Sequence, residues 1–213
     1  MIRLAHGRTS LALHPLRDAA GPDLLCLHAL GGSAADFAGA AAAWPGRVFA
    51  LDFAGHGDSS PRPSGAYLPE LLAGDADAAL AALDTVHLVG VGVGAYVALL
   101  LAGARRDRVT AALLVPGSGL AGGGAEPDFA DEGGPRWLDL EPPLPGCDPA
   151  ARRLERDIRP PDYAVCFALA ARRLLLAEGG ASPPPWWRAV ERSPAAASAP
   201  ADLARALALL ATA

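Results

Sequence analysis

The stretch "HLVGVGVGAYVALLLAG", His87–Gly103, packs an apolar strand, a glycine-rich turn and an apolar helix into 17 residues. Its first five residues are β-rich, and glycine recurs at Gly90, Gly92 and Gly94. Beyond them Ala95–Ala102 is apolar without a break. A short buried strand that stops in glycines and continues as an apolar helix predicts a strand–turn–helix unit. Turns this tight usually present a reactive side chain or cradle a charged group. At the apex sits Gly92, which has no side chain.

The flanking sequence repeats the unit. "RLAH" and "TSLALHPL" predict a hairpin. "DLLCLH" (Asp23–His28) predicts a buried strand stopped by Gly31 and Gly32, with Ser33 as N-cap and Asp36 in the first turn of a helix carrying Phe37, Ala41 and Trp44 on one face. "RVFALD" (Arg47–Asp52) is the next strand. After the loop "FAGHGDSSPRPSG" comes a helix with Leu68, Leu72, Leu80 and Leu83 inward, and Arg108–Pro116 is a further strand. Apolar strands alternating with amphipathic helices predict a parallel sheet covered on both faces. Between Pro116 and Pro149, 15 of 34 residues are Gly or Pro, which predicts an irregular excursion. Asp148 and Pro149 carry N-cap and N1 chemistry for a helix ending before Pro160. "YAVCFALAARRLLLAEGG" reads as one helix, or as a helix and then a strand from Arg173 to Ala177; the second is preferred. Two more short helices follow, the last with Leu203, Leu207 and Leu210 on one face.

Composition narrows the function. The chain has 213 residues, 52% hydrophobic and 19% charged, enough for one cored domain (1–213). It contains no Lys, Asn or Gln, so all 18 basic residues are arginine, the signature of a GC-rich bacterium. Schiff-base lysines, Ser–Lys dyads and amide side chains as oxyanion donors are thereby excluded. A net charge of -5 argues against nucleic acid as a partner. No apolar run is long enough to span a bilayer, and His6, Arg8 and His14 spoil the N-terminus as a signal peptide. Cys26, Cys147 and Cys166 form neither a disulfide framework nor a metal motif. A cytoplasmic protein without metal or cofactor is expected.

Three segments in order, "LLCLHALGGSAADF", "FALDFAGHGDSS" and "HLVGVGVGAYVALLLAG", resemble the α/β-hydrolase superfamily: its oxyanion loop, its Gly-His-Gly loop and its nucleophile elbow. The resemblance spans Leu4–Gly119. It implies a three-layer α/β/α sandwich on a mostly parallel, doubly wound sheet, shortened at the C-terminal end, with a small lid over residues 116–171. It also implies that the Leu30 and Val93 amides point into a pocket bordered by His28 and Gly31. In that family the histidine at the His28 position supports the loop; His56 reads as structural too, and His87, opening its strand beyond the sheet's functional edge, reads as incidental. Phe129, Trp137 and Trp186 are expected to roof the cleft, and Tyr163 and Phe167 either join them or pack in the core.

The chain departs from the family pattern where the chemistry lies. In G-x-S-x-G the serine rides a sharp strand-to-helix turn; here "G-V-G-V-G" keeps the flanking glycines and puts Gly92 in the nucleophile's place. Losing that serine costs about 10⁶ in kcat. The family's catalytic histidine follows the last strand, yet none of the five histidines lies in the second half. Glu178 falls at the acid position, and Glu178 to Pro200 leaves little room for a further strand and catalytic loop. Ser33, Ser118 and Cys147 are the displaced-nucleophile candidates, none with a base nearby in sequence. "GVGVGA" (Gly90–Ala95) formally matches a dinucleotide fingerprint, but two strand–helix units precede it and the next strand ends without an acid. Arg152, Arg153, Arg156 and Arg159, alternating with Glu155 and Asp157, read as a solvated helix face. The expected function is non-hydrolytic: binding of a small apolar ligand, or lyase-, isomerase- or cyclase-type chemistry. The alternatives are a weak ester or amide hydrolase with a displaced nucleophile, and a protein-interaction pseudoenzyme.

Overall fold

The computed structural model describes residues 1–122, 144–179 and 182–212. A hairpin of β1 (Ile2–His6) and β2 (Thr9–Arg17) opens the chain, followed by β3 (Asp23–Leu27), β4 (Val48–Asp52), β5 (Val86–Val91), β6 (Val109–Val115), β7 (Leu174–Ala177) and β8 (Ala196–Ala199). They form one sheet in the order β1-β2-β4-β3-β5-β6-β7-β8. The hairpin and the β2–β4 contact are antiparallel. From β4 through β8 every neighbouring pair is parallel. The helices are α1 (Ala38–Ala43), α2 (Pro69–Leu80), α3 (Val93–Ala104), α4 (Pro161–Ala170), α5 (Pro185–Glu191) and α6 (Leu203–Leu210).

Period-two alternation sends side chains to both faces. Leu25 and Leu27 join a core beneath α2, α3, α4 and α5, whereas Leu24 and Cys26 join one beneath α1 and α6. Val93 to Ala102 of α3 are all buried, as an all-apolar helix requires. Phe37, Ala41 and Trp44 are buried as their spacing predicts, and the Trp44 indole N–H donates to the Pro22 carbonyl at 2.7 Å.

Some expectations change. The residues from Glu178 to Pro200 do supply a further strand: β8 pairs in parallel with β7 directly after α5. Its sequence, "AASA", is too weakly apolar to announce itself. Leu68 is not inward; it caps α2 and is 41% exposed. The segment from Asp148 is a 3₁₀ helix, Pro149–Glu155. Within the expected lid, α4 buries Ala164 and Ala168 against the core. Among the described residues, no helix is long and apolar enough to cross a membrane.

Candidate functional site

The loops after β3, β4, β5 and β6 emerge at one edge of the sheet. The chain reverses its winding between β3 and β5, so a crevice opens beside the end of β5, where ligands of such sheets bind. The turn at Gly92 stands there, with φ 60° and ψ −121°, a conformation that strains any residue with a side chain. Its neighbours are equally constrained: a Cβ on Gly90 would overlap the Gly94 carbonyl, and one on Gly94 the Leu27 carbonyl of β3. The two flanking glycines let α3 start against β3.

The Leu30 and Val93 amides converge on one acceptor, the main-chain carbonyl oxygen of Ser118, at 3.2 and 3.0 Å. Gly92 donates to the Val115 carbonyl at 2.9 Å. A Cβ on Gly92 would overlap that same Ser118 oxygen and stand 2.8 Å from the Gly117 carbonyl carbon. The absent side chain therefore does not leave a roomier pocket floor, because the loop after β6 fills the space. Ser118 itself is exposed. Among the described residues, surface cavities of about 230 and 380 Å³ lie at the end of α2 and on the β1–β2 hairpin, and these two are not lined by residues of the elbow.

The loop is held from behind. Arg159 Nη1 donates to the carbonyls of Gly119 and Leu120 at 2.5 and 2.6 Å, and Nη2 donates to the Leu154 carbonyl at 3.0 Å. The guanidinium is paired with both Asp157 oxygens at 2.9 Å and lies over the Tyr96 ring. The Trp186 indole N–H also donates to Leu120, at 3.0 Å. Arg159 is 3% exposed and Asp157 8%, so these two do not belong to a solvated helix face. Arg153 and Arg156 are exposed. The missed signal is spacing: Asp157 and Arg159 stand two apart just before Pro160, where a helix cannot continue.

The other end of the excursion lies over the neighbouring loops. Asp148 N–H donates to the Gly55 carbonyl at 2.7 Å, and Asp148 Oδ2 accepts from the buried Tyr67 hydroxyl at 2.7 Å. Cys147 bridges His56 through the main chain, and Gly146 lies beside the Gly31 carbonyl. Burial and nearby carboxylates push the Cys147 thiol up, away from a reactive thiolate.

Each of the five histidines is held by partners other than the Gly92 turn. His28 is fully buried: its Nε2 accepts from Phe53 N–H at 3.0 Å, which leaves Nδ1–H to donate to the Ala29 carbonyl at 2.7 Å. His56 Nδ1 bonds the Ala54 carbonyl, and burial pushes its pKa down. His6 meets Asp75, His14 meets Asp52, and His87 packs on Trp44. Glu178 follows β7, exposed, with its amide bonded to the Ala199 carbonyl. After β8 come Pro200, Ala201 and Asp202, and the last caps α6. Ser33 donates its N–H to Asp36 at 2.9 Å. Phe129 and Trp137 lie outside the described residues; Trp186 packs on Tyr96 and Trp187.

One site residue was passed over in the sequence. Asp52, at the end of β4, accepts from the amides of Ala34 (2.7 Å) and Asp58 (2.8 Å) as well as from His14. The ligand atoms of His14, Asp52 and Asp58 lie within 4.8 Å of one another, but both Asp52 oxygens are already taken by main-chain donors. An acid closing a buried strand, with glycines after it, is the available signal.

Burial, and secondarily His56, pushes the His28 pKa from its ordinary 6.5 down to about 4. The folded state therefore holds this imidazole neutral while the unfolded chain takes up a proton first. Its stabilising contribution is present above pH 6.5 and is lost as pH falls toward 4, by about 3 kcal/mol. Burial lowers His56 and His87 in the same direction, so urea unfolding at pH 7.5 and pH 4 should show at least this loss, and His28→Gln should make it smaller without abolishing it.

The chain matches the alpha/beta hydrolase family over residues 24–212 and belongs to that family. Similar solved structures include the enol-lactonase from Burkholderia xenovorans LB400 (19% identity, 99% of this chain and 97% of that one, TM-score 0.72). A thioesterase domain from the curacin biosynthetic pathway shares 18% identity over 99% of this chain and 96% of that one, with TM-score 0.73. The bottromycin epimerase BotH, solved with bottromycin A2, shares 21% over 99% and 95%, with TM-score 0.64. Comparison with curated protein sequences found no match.

Proposed function

We propose that this chain is a non-hydrolytic α/β-hydrolase-family protein, a pseudoenzyme that acts by binding rather than by acyl transfer. The observation that carries the reading is the Ser118 carbonyl on the Leu30 and Val93 amides. In a serine hydrolase a substrate oxygen gains negative charge against such donors. Here a neutral carbonyl of the chain holds both. Gly92 supplies no nucleophile, and no histidine follows β8 to serve as base. Each loss alone is worth orders of magnitude in rate. The filled crevice favours the interaction-protein reading over a small ligand seated on Gly92. The solved relatives include proteins named for hydrolytic chemistry and one named an epimerase, so the fold alone does not choose between them.

The test is direct. The purified chain should take no label from a fluorophosphonate probe and should not turn over p-nitrophenyl butyrate above the uncatalysed rate. Labelling or turnover abolished by Ser33→Ala, Ser118→Ala or Cys147→Ala would instead establish a displaced nucleophile.

A further inference from the structure

A substrate-like group already sits on the elbow, and the chain supplies it. A peptide carbonyl accepting from the Leu30 and Val93 amides occupies the place where a scissile carbonyl oxygen would bind, at the positive end of α3. Three independent features fit the loop to this place. Gly92 lacks the Cβ that would collide with the Ser118 oxygen. Gly119, at φ 74°, turns the chain back so closely that a Cβ there would stand 2.9 Å from Leu30 Cβ. The next two carbonyls, of Gly119 and Leu120, face inward onto Arg159 and Trp186.

We propose that the loop Pro116–Leu120 is an internal ligand of the elbow, and that Arg159 is the positioning residue that keeps it bound. Arg159 suits the task chemically. Its planar fork spans two successive carbonyls with Nη1 while Nε and Nη2 grip Asp157. Side-chain exposures of 1% and 5% for Arg159 and Asp157 shield the pair from solvent screening. The pair also ties the loop after β6 to the segment just before α4. The ligand class is a neutral amide carbonyl, and Ser118 contributes through its main chain alone. This inference rests on the proposed non-hydrolytic reading of the site.

The test is amide hydrogen exchange by NMR on the full chain. In Arg159→Met, exchange at Leu30 and Val93 should rise by roughly tenfold or more relative to the strand amides of Leu25 and Val89, because the opening is local. Ser118→Ala should leave both amides as protected as in the parent. If Arg159→Met fails to fold, Trp186→Phe removes one donor to Leu120 and should raise exchange at the same two amides by about threefold. Exchange at Leu30 and Val93 that moves only in step with Leu25 and Val89 would mean that Arg159 stabilises the fold without holding the loop, and would overturn the proposal. That failure is distinct from failure of the non-hydrolytic reading, which shows as probe labelling or turnover in the parent chain.

Discussion

Gly92→Ser lowers the stability of this protein and creates no esterase. Two effects act at once. A side chain at φ 60° and ψ −121° is strained, at about 1–3 kcal/mol. In addition the new Cβ overlaps the Ser118 oxygen, so the loop must move and its two hydrogen bonds, worth about 1 kcal/mol each, are lost. The sum is about 3–5 kcal/mol, which for a chain of this size lowers Tm by about 10 °C. Gly92→Ala should do the same, because the cost comes from Cβ and not from the hydroxyl. Thermal unfolding of both variants checks this. A Gly92→Ser protein as stable as the parent, with the Leu30 and Val93 amides still protected, would show that the loop does not fill the elbow. Gain of ester turnover would reveal a base among the five histidines.

Asp75→Ala should cost a similar amount for a different reason. Asp75 on α2 is fully buried and accepts from Arg62 Nη2 at 2.7 Å, from the Ala54 amide at 3.1 Å, and meets His6 Nδ1 at 2.8 Å. Alanine leaves the buried guanidinium unpaired and the Ala54 amide unsatisfied, at about 3–5 kcal/mol. The loss measures an orphaned charge rather than the net worth of the pair. Replacing both partners, as in Asp75→Leu with Arg62→Met, should therefore recover much of it. Urea denaturation of the single and double variants separates the two accounts. A single variant within about 1 kcal/mol of the parent would mean that water takes over the role of Asp75.

The parallel sheet was legible because its signals are local and strong. Buried strands such as "LLCL" and "FALD", punctuated by glycines, leave few alternatives, and the spacing of Gly90, Gly92 and Gly94 marks the elbow. β8 was missed because "AASA" owes its strand state to pairing with β7, a tertiary effect. The loop over Gly92 was illegible for a deeper reason. Its working group is a main-chain carbonyl, which every residue carries, so nothing in "PGSGL" distinguishes it. Arg159 and Asp157 were read by their charge, and burial reverses that reading; only their distance from Gly119 and Leu120, about 40 residues away in sequence, reveals them.

A seal made of backbone has an evolutionary consequence. Replacing Ser118 by another residue that keeps its backbone conformation changes an exposed side chain and leaves the carbonyl in place, so such a replacement does not reopen the crevice. Introducing a serine at position 92 would first meet a steric penalty, and a histidine placed after β8 would meet an elbow still covered. On the proposed non-hydrolytic reading, triad chemistry is thus separated from this sequence by several changes, each without effect until the others are made.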